Sequence, residues 1–340
     1  MISFEGGDDL LPRGNVSRLG VSSLDDIQCN RWESAFISSW KILAAKIIDL
    51  AIPIVGLRLD PSKDVALVTG GSGGLGRQLV SELHKKRIIT VILDIVPPSG
   101  LEKCSNIHFY PCDISAPKII ADVHQKILRE VGQVTILINN AAITSDHTLE
   151  SVDNDRIEKI IHVNLLGAYS LIREFVPSML EVERGYIVNI ASVLGFVSPA
   201  RLTAYGASKG GLIALHESLI AELEQHMLIN IVNPAYPPLV RRRGTIRSLL
   251  VCPGKIDTKM FDNAQSPSKI IAPDLDPEYL AKEIVKAIEN NRSGTLKLPY
   301  YTNMMSYFKA LDWPWFTLFR VKSGVDTIIS ERPEAATPEE

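Results

Sequence analysis

From residue 64 to residue 298 the chain alternates short, nearly continuous apolar runs with segments that have helical periodicity. Apolar runs of this kind are typical of strands in a parallel sheet that is covered on both faces. The segments between them supply the helical crossovers that parallel strands require. Because such crossovers are right-handed, the pattern predicts a single doubly wound α/β domain, with ligands at the carboxyl ends of its strands.

The elements of this predicted domain follow from the period of the apolar residues and from the turn residues that bound them. The predicted strands are Val65–Val68, Ile88–Ile95, Ile107–Tyr110, Val134–Ile138, Tyr186–Ile190, Ile246–Val251 and Thr295–Leu298. The predicted helices are Gly74–Lys86, Lys118–Val131, Asp153–Leu180, Thr203–Glu224 and Asp276–Asn290.

Composition excludes several classes of function. The formal net charge of -3 gives no general attraction to nucleic acid, and we expect no nucleic-acid partner. The 4 cysteines lie far apart without a CxxC pair, which argues against a disulfide framework and against a zinc site. We therefore expect no metal and a reducing, cytosol-facing location.

A glycine-rich turn, TGGSGGLG over residues 69–76, lies between the first predicted strand and its helix. Gly70 permits a tight turn, Gly74 lets the backbone approach a pyrophosphate, and Gly76 lets the helix pack closely on the strand. The N-terminus of the helix offers free N–H groups to phosphates. In this context the turn predicts a dinucleotide site; the alternative is a flexible loop.

Asp94 ends the second predicted strand, 18 residues beyond Gly76. A carboxylate there can accept hydrogen bonds from both ribose hydroxyls of NAD and would repel the 2′-phosphate of NADP. The following residues, Ile95, Val96 and Pro97, supply no cation to offset that repulsion. We therefore expect NAD(H) to be preferred, with NADP(H) as the alternative; Asp94 as a solvated strand-end residue is the competing interpretation.

Tyr205 and Lys209 lie four apart in the motif YGASK, so that they share one face of the predicted helix. A nearby ammonium stabilises a phenolate and should lower the pKa of Tyr205. Such a tyrosine can transfer a proton while hydride moves to or from a nicotinamide. Ser192, after the fifth strand, can hydrogen-bond the substrate oxygen. The alternatives are a partly exposed helix pair and, for Ser192, a helix or turn cap.

These motifs, together with Asn139-Asn140-Ala141-Ala142 and Cys252-Pro253-Gly254, resemble those of the short-chain dehydrogenase/reductase family over about residues 63–298. The resemblance implies a Rossmann fold and a nicotinamide cofactor, with Asn164 as fourth catalytic residue, holding a water that relays protons to Lys209. It implies that Asp113 contacts adenine and that residues 253–258 close over the nicotinamide. Asn140 and Ala141 should border the cofactor, although turn chemistry also explains an asparagine pair.

The expected site follows from the motifs and from the resemblance together. The catalytic residues are Asn164, Ser192, Tyr205 and Lys209. The cofactor-binding residues are Thr69, Gly70, Ser72, Gly73, Gly74, Leu75, Gly76, Asp94, Asp113, Ile114, Asn140, Ala141, Ala142, Tyr205, Lys209, Pro253, Gly254, Ile256 and Thr258.

Two departures from the family pattern stand out. Ala142 replaces the usual glycine of the NNAG motif, and since alanine is small we expect binding to be kept. Residues 228–244, a proline- and arginine-rich insert, separate the catalytic helix from the sixth strand, where the family has a few residues. The insert is a surface loop or an artefact of gene prediction, and it cannot continue the helix past Pro234.

Both flanks of the domain (residues 61–298) differ from it in composition. We predict disorder over residues 1–30, an amphipathic helix over 31–60, an apolar extension over 299–331, and a disordered acidic tail over 332–340. The stripe from Phe36 to Leu59 is too short in its charge-free part to span a bilayer, and it predicts either a helix lying on a membrane or a packing surface. The extension resembles the tail of the membrane-associated branch that acts on retinoids and steroids.

These observations predict an oxidoreductase that transfers hydride between NAD(H) and a hydroxyl or ketone of a hydrophobic, lipid-like substrate. We expect a homodimer held at a membrane surface, on the cytosolic face of the endoplasmic reticulum or on a lipid droplet, with the cytoplasm as the alternative. Two other functions stay open. One is a soluble carbonyl reductase of small metabolites, and the other is a catalytically idle dinucleotide-binding regulator, which would have no need of Tyr205.

Overall fold

The structure, a computed structural model, describes residues 58–100, 104–145, 147–232, 246–262, 264, 272–308, 310–311, 314–324 and 326. The predictions for residues 1–30, for nearly all of the apolar helix over 31–60 and for the acidic tail lie outside this set, as does most of the insert over 228–244. In the described part, no helix combines the length and the apolarity that crossing a bilayer requires.

A parallel sheet of 7 strands forms the centre of the described domain, in the order β3-β2-β1-β4-β5-β6-β7. The strands are β1 (Val65–Thr69), β2 (Ile89–Asp94), β3 (Ile107–Pro111), β4 (Ile136–Asn139), β5 (Gly185–Ile190), β6 (Ile246–Pro253) and β7 (Gly294–Leu298). Because β1 pairs with β2 on one side and β4 on the other, the chain reverses direction across the sheet at β1, which opens a crevice at the carboxyl ends. The predicted doubly wound sheet is confirmed.

Helices cover both faces of the sheet. They are α1 (Gly74–Lys85), α2 (Pro117–Glu130), α3 (Asn154–Ile161), α4 (Gly167–Glu181), α5 (Thr203–Val232), α6 (Pro277–Glu289), α7 (Thr302–Phe308) and α8 (Trp315–Ser323). In β1, Ala66 and Val68 pack in the core shared with α1 and α6, whereas Val65 and Leu67 pack in the core shared with α2 and α4. Since both faces of the strand are buried, apolar residues fill positions 65–68, as the sequence indicated.

The predicted helix Asp153–Leu180 is interrupted in the structure. α3 ends at Ile161, residues His162–Leu166 form a π-helical turn, and α4 begins at Gly167. The π-helix is rare in proteins, and where single π-helical turns interrupt an α-helix they often lie at functional sites. This turn contains Asn164, and the apolar period did not reveal it because one extra residue hardly changes a helical pattern.

Two further helical segments depart from the sequence prediction. α5 continues beyond Glu224 to Val232, which still precedes Pro234. The C-terminal extension, for which the sequence predicted only an apolar character, contains α7 and α8, and the rings of Phe308 and Phe319 stack between them with centroids 4.0 Å apart.

A polar chain crosses the interior from the sheet to α5. The Asn139 Nδ2 donates to Asn189 Oδ1 at 2.8 Å, and Asn189 Nδ2 lies 3.0 Å from His216 Nδ1. Since the amide nitrogen donates, Nδ1 of His216 accepts, and the ring proton is on Nε2. Nε2 has no hydrogen-bond partner among the described residues, and burial lowers the pKa of His216 to about 4.

We predict that His216 contributes to loss of stability in acid. The unfolded chain binds the proton below about pH 6.5, but the folded protein binds it only near pH 4, so folding opposes protonation between these values. This term should remove roughly 2 kcal/mol of unfolding free energy between about pH 7 and about pH 5. In His216→Gln that part of the pH dependence should be absent, which urea unfolding at both pH values measures; equal losses in the two proteins would contradict it.

Candidate active site

A cavity of about 880 Å³ opens at the carboxyl edge of the sheet and brings together most of the residues that the sequence selected. Those that line it are Gly70, Ser72, Gly73, Gly74, Leu75, Asp94, Asp113, Ile114, Asn140, Ala141, Ala142, Ser192, Tyr205, Lys209, Pro253, Gly254, Ile256 and Thr258. Three selected residues, Thr69, Gly76 and Asn164, do not line it, and each acts on the site through its neighbours.

The glycines of the first turn are required by close approach. Gly70 has a φ of +64°, and a Cβ there would lie 2.9 Å from the Cα of Ala141. A Cβ on Gly76 would lie 2.0 Å from the carbonyl oxygen of Gly70, closer than non-bonded atoms approach. Gly76 therefore lets α1 pack against the turn, as predicted, and its contribution to the site is this packing.

Thr69 and Asn140 join the ends of β1 and β4. The hydroxyl oxygen of Thr69 accepts hydrogen bonds from the backbone N–H groups of Asn140, at 2.9 Å, and Ala141, at 3.0 Å. In return Asn140 Nδ2 donates to the carbonyl oxygen of Thr69 at 2.9 Å. Thr69 is 1% exposed, so its side chain braces the two strand ends, and its predicted contact with a cofactor stays a prediction.

The N-terminus of α1 has the properties of a phosphate site. Gly73 is the N-cap residue, and it makes no side-chain capping hydrogen bond to the N–H groups of the first turn. Such N–H groups carry the positive end of the helix dipole and are satisfied by an anion. The cradle that the glycines form and this uncapped helix end fit the pyrophosphate of a dinucleotide.

Asp94 is half-buried at the end of β2, beside the glycine turn. Its carboxylate accepts hydrogen bonds from the N–H of Ser72 at 3.0 Å and of Val96 at 3.2 Å. Each carboxylate oxygen keeps a further lone pair for a ribose hydroxyl. Arg77 lines the same cavity and donates to Ser99 Oγ at 3.1 Å.

The expectation that Ile95, Val96 and Pro97 supply no cation stands, but Arg77 adds a positive charge to this cavity from α1. Its position directly after Gly76 was a signal that could have indicated it.

The segment after β3 lies next to Asp94, since the N–H of Cys112 donates to the carbonyl oxygen of Asp94 at 3.0 Å. Asp113 accepts hydrogen bonds from the hydroxyl of Ser115 at 2.7 Å and from its N–H at 2.9 Å, and these lower the pKa of Asp113. Lys159 also lines the cavity and lowers the same pKa by its charge. The ionised carboxylate borders the cavity, and its contact with adenine stays a prediction.

Ser192, Tyr205 and Lys209 meet on one side of the cavity. Ser192 follows β5, and its hydroxyl accepts a hydrogen bond from the N–H of Leu194 at 3.1 Å, so it is a cap as well as a cavity residue. Tyr205 is 5% exposed, with its ring edge-on to Phe261. Lys209 Nζ donates to the carbonyl oxygen of Ile190 at 2.7 Å and lies 5.8 Å from the centroid of the Tyr205 ring.

The pKa of Tyr205 departs from the sequence prediction. Burial raises this pKa, and a hydrogen bond with the Ser192 side chain lowers it by less. Burial also lowers the pKa of Lys209, to about 8, because the ammonium loses its solvation. The lowering of the Tyr205 pKa that we expected from Lys209 is therefore wrong for the protein alone, since desolvation of the phenolate is the larger effect.

Asn164 connects two parts of the site from behind. Its Oδ1 accepts a hydrogen bond from the N–H of Ile143 at 2.8 Å, and its Nδ2 donates to the carbonyl oxygen of Ile143 at 2.9 Å. Nδ2 also donates to Ser208 Oγ on α5 at 3.0 Å. The side chain thus holds the segment after β4 against the catalytic helix, and the proton-relay role that the resemblance implies stays a prediction.

The rest of the cavity wall was not predicted. Its apolar part beside Tyr205 consists of Leu194, Leu202, Phe261 and Ala264. Tyr301 enters from the C-terminal extension, where its hydroxyl packs so closely on Gly254 that a Cβ there would lie 2.3 Å from it. No local motif marks these residues, because they meet only when distant segments pack together.

The chain belongs to the short-chain dehydrogenase family, whose pattern it matches over residues 64–269. Its fold, its catalytic set and this match agree that it is an oxidoreductase that binds a nicotinamide dinucleotide.

Individual proteins that are similar to this chain are also named as oxidoreductases or dehydrogenases. An uncharacterized oxidoreductase of Saccharomyces cerevisiae is 39% identical over 85% of this chain and 91% of its own. Retinol dehydrogenase 10 of Homo sapiens is 28% identical over 74% of this chain and 80% of its own. Among solved structures, a short-chain dehydrogenase from Streptomyces avermitilis has a TM-score of 0.60 at 22% identity, covering 77% of this chain and all of its own. A metagenomic short-chain oxidoreductase in complex with NADP has a TM-score of 0.54 at 25% identity, covering 69% and 95%.

We predict that Gly76→Ala disrupts the nucleotide half of the site. The added Cβ meets the backbone oxygen of Gly70, so the turn must move, at a cost of roughly 1–3 kcal/mol in unfolding free energy and with weaker binding of NAD⁺. The matched control is Gly73→Ala, because nothing lies within 4 Å of its added Cβ and its φ of -143° suits alanine. Thermal unfolding of both variants, with and without NAD⁺, measures the loss of stability and of cofactor binding. Equal losses in Gly76→Ala and Gly73→Ala would show that the close approach at Gly76 does not restrict the residue there.

Proposed function

We propose that this short-chain dehydrogenase transfers hydride between NAD(H) and a hydroxyl or ketone group of a hydrophobic, lipid-like substrate. The observation that carries the proposal is the apolar surround of the catalytic hydroxyl. Tyr205 belongs to a cluster with Leu202 and Ala264, and the side chains of Leu194 and Phe261 pack against it. A polar metabolite would leave its hydroxyl groups without partners against this surface.

The chain's own residues divide the chemistry. The bound dinucleotide supplies or accepts the hydride. Tyr205 gives a proton to the developing alkoxide or takes one from the alcohol, and Ser192 holds the same oxygen by a hydrogen bond. Lys209 stands behind Tyr205 with its ammonium held by the carbonyl oxygen of Ile190.

Burial favours the protonated form of Tyr205 and the neutral form of Lys209. Alcohol oxidation needs Tyr205 in its ionised form before it takes the proton of the alcohol, and burial disfavours this form in the protein alone. We infer that Lys209 is kept near Tyr205 to stabilise the phenolate at the moment of transfer, when a charge develops in a dry site.

The relatives lend support to the substrate class. Retinol, which the name of one relative specifies, is an apolar alcohol. At 28% identity that name supports the class of substrate and not the compound. A soluble reductase of small metabolites is the alternative, and an idle regulator is disfavoured because Ser192, Tyr205 and Lys209 meet in one cavity.

The experiment is a panel of alcohols tested with the purified protein. We expect retinol, a steroid alcohol or a long-chain secondary alcohol to be oxidised with NAD⁺, and glycerol and lactate to be inert. Tyr205→Phe keeps the ring and the packing on Phe261, so it should bind NAD⁺ normally but lose most turnover. Turnover of only the small polar alcohols would overturn the substrate class, and an active Phe variant would remove Tyr205 from the mechanism.

We further propose that NAD(H) is preferred to NADP(H). The support is the half-buried Asp94 carboxylate, which two backbone N–H groups hold at the ribose end of the cavity. Arg77 lies at the same end and makes the preference partial, because a guanidinium can pair with a 2′-phosphate.

This proposal predicts opposite effects of two substitutions on the ratio of kcat/KM for the two cofactors. Asp94→Asn keeps an acceptor for the Ser72 N–H but removes the charge, so it should improve use of NADP(H) and narrow the gap. Arg77→Ala removes the offsetting cation and should widen the gap, with use of NAD(H) nearly unchanged. A wild-type preference for NADP(H) would show that Asp94 does not face the ribose.

We also propose that the C-terminal extension binds a membrane surface. On α8, Trp315, Leu318 and Val321 recur at every third residue, and their exposed fractions are 65%, 44% and 73%. Each such side chain gains roughly 1.5–3 kcal/mol when lipid buries it. Lys322 lies on the same helix, where it can meet an anionic headgroup.

The prediction is that the protein floats with vesicles of phosphatidylcholine and phosphatidylserine, and that joint replacement of Trp315, Leu318 and Val321 by Ser abolishes flotation. The matched control replaces Ile119 and Leu128 on α2 by Ser, since their exposed fractions are 41% and 43%. If wild-type and triple variant floated equally, this face of α8 would not be the contact.

A further inference from the structure

The loop formed by residues 196–202 lies between two parts of the catalytic centre. It joins the turn that follows Ser192 to helix α5, which carries Tyr205. Pro199 and Leu202 of this loop line the cavity. Its position therefore sets how the apolar wall stands relative to the reacting oxygen.

The loop is strained and needs support from its surroundings. Arg201 has a φ of +68°, in the left-handed region that residues with a Cβ rarely adopt. Such conformations persist where neighbouring structure holds them. On the inner side, Ser198 Oγ donates to the carbonyl oxygen of Leu202 at 3.1 Å, and a Cβ on Gly206 would lie 2.1 Å from that Oγ.

On the outer side the loop is held by the C-terminal extension. Arg320 Nη1 donates to the carbonyl oxygen of Ser198 at 3.0 Å, and Asp326 Oδ1 accepts from the N–H of Ala200 at 3.1 Å. These two backbone atoms flank Pro199. Arg320 and Asp326 also form a bidentate ion pair. Arg320 Nε donates to Asp326 Oδ2 at 3.1 Å, and Arg320 Nη2 donates to Asp326 Oδ1.

The pair of Arg320 and Asp326 contributes more to the orientation of the loop than to the stability of the fold. The side chains are 26% and 37% exposed, and ion pairs this open to solvent add little to stability. The planar fork of arginine instead fixes direction, because its donors have set angles. The ring of Phe316 lies 5.7 Å from the Arg320 guanidinium and adds a further contact that orients it.

We propose that Arg320 and Asp326 form a clasp that fixes the loop of residues 196–202 and thereby sets the affinity of the catalytic cavity for its substrate. They are positioning residues, since they act through the loop and do not touch the reacting atoms. The clasp connects the extension, which carries the exposed face of α8, to the wall of the cavity. The expected change in substrate affinity rests on the proposed function with a lipid-like substrate.

The test compares Arg320→Met, Arg320→Lys, Asp326→Ala and the double variant Arg320→Met/Asp326→Ala with the wild-type chain. Lys322→Met is the matched control, because it removes a charge from the same helix without touching the loop. Three quantities are measured in each: hydrogen exchange of residues 196–202, the Kd for NAD⁺, and KM and kcat for the best alcohol of the panel.

We expect faster exchange in the loop and a KM raised several-fold in the Met and Ala variants, with the Kd for NAD⁺ and kcat nearly unchanged. Arg320→Lys should recover only part of the effect, because an ammonium keeps the charge but loses the fork. The double variant should be no worse than the single ones, since a clasp fails when either half is gone. Lys322→Met should match the wild type.

Other outcomes would overturn the clasp. Unchanged exchange in the variants would show that the loop is held without the pair. Faster exchange with unchanged KM would show that the loop does not set affinity, and a fall in kcat or in NAD⁺ binding alone would place the effect elsewhere. If the wild-type protein oxidised no member of the panel, the proposed substrate class would fail, and loop exchange alone would then decide whether the clasp exists.

Discussion

The site depends on the close approach of two backbone segments at the crevice of the sheet. The turn after β1 and the segment after β4 touch because Gly70 and Gly76 have no side chains, and Thr69 and Asn140 then exchange hydrogen bonds across the gap. This contact sets the position of the uncapped end of α1 and of Ala141. The nucleotide half of the cavity is therefore a consequence of backbone packing, and its selected residues act largely through main-chain groups.

Burial is the second constraint, and it raises the pKa of Tyr205 but lowers the pKa of Lys209. Tyr205 is held protonated and the pKa of Lys209 falls to about 8, because both charged forms lose solvation. The apolar wall that surrounds Tyr205 is also the feature on which the proposed apolar substrate rests. Sequence spacing places the two residues on one face of α5, but it contains no information about how dry that face is.

The substrate half is built from segments far apart in the chain. Phe261 comes from the segment after β6, Tyr301 from the extension, and Leu202 from the loop that Arg320 and Asp326 hold. The extension is thus part of the catalytic domain's wall and also carries an outward apolar face on α8. This arrangement links the surface on which the protein lies, as proposed, to the cavity that its substrate enters.

The sequence by itself determined the doubly wound sheet, the glycine turn and the candidate catalytic residues, because each rests on local spacing: apolar runs that alternate with helical periods, a turn that only glycine adopts, a Tyr and a Lys one turn apart. The tertiary structure alone decided the π-helical turn at Asn164, the presence of Arg77 in the same cavity as Asp94, the raised pKa of Tyr205 and the residues of the apolar wall. These depend on which distant groups become neighbours and on how much water remains between them, and a linear pattern encodes neither.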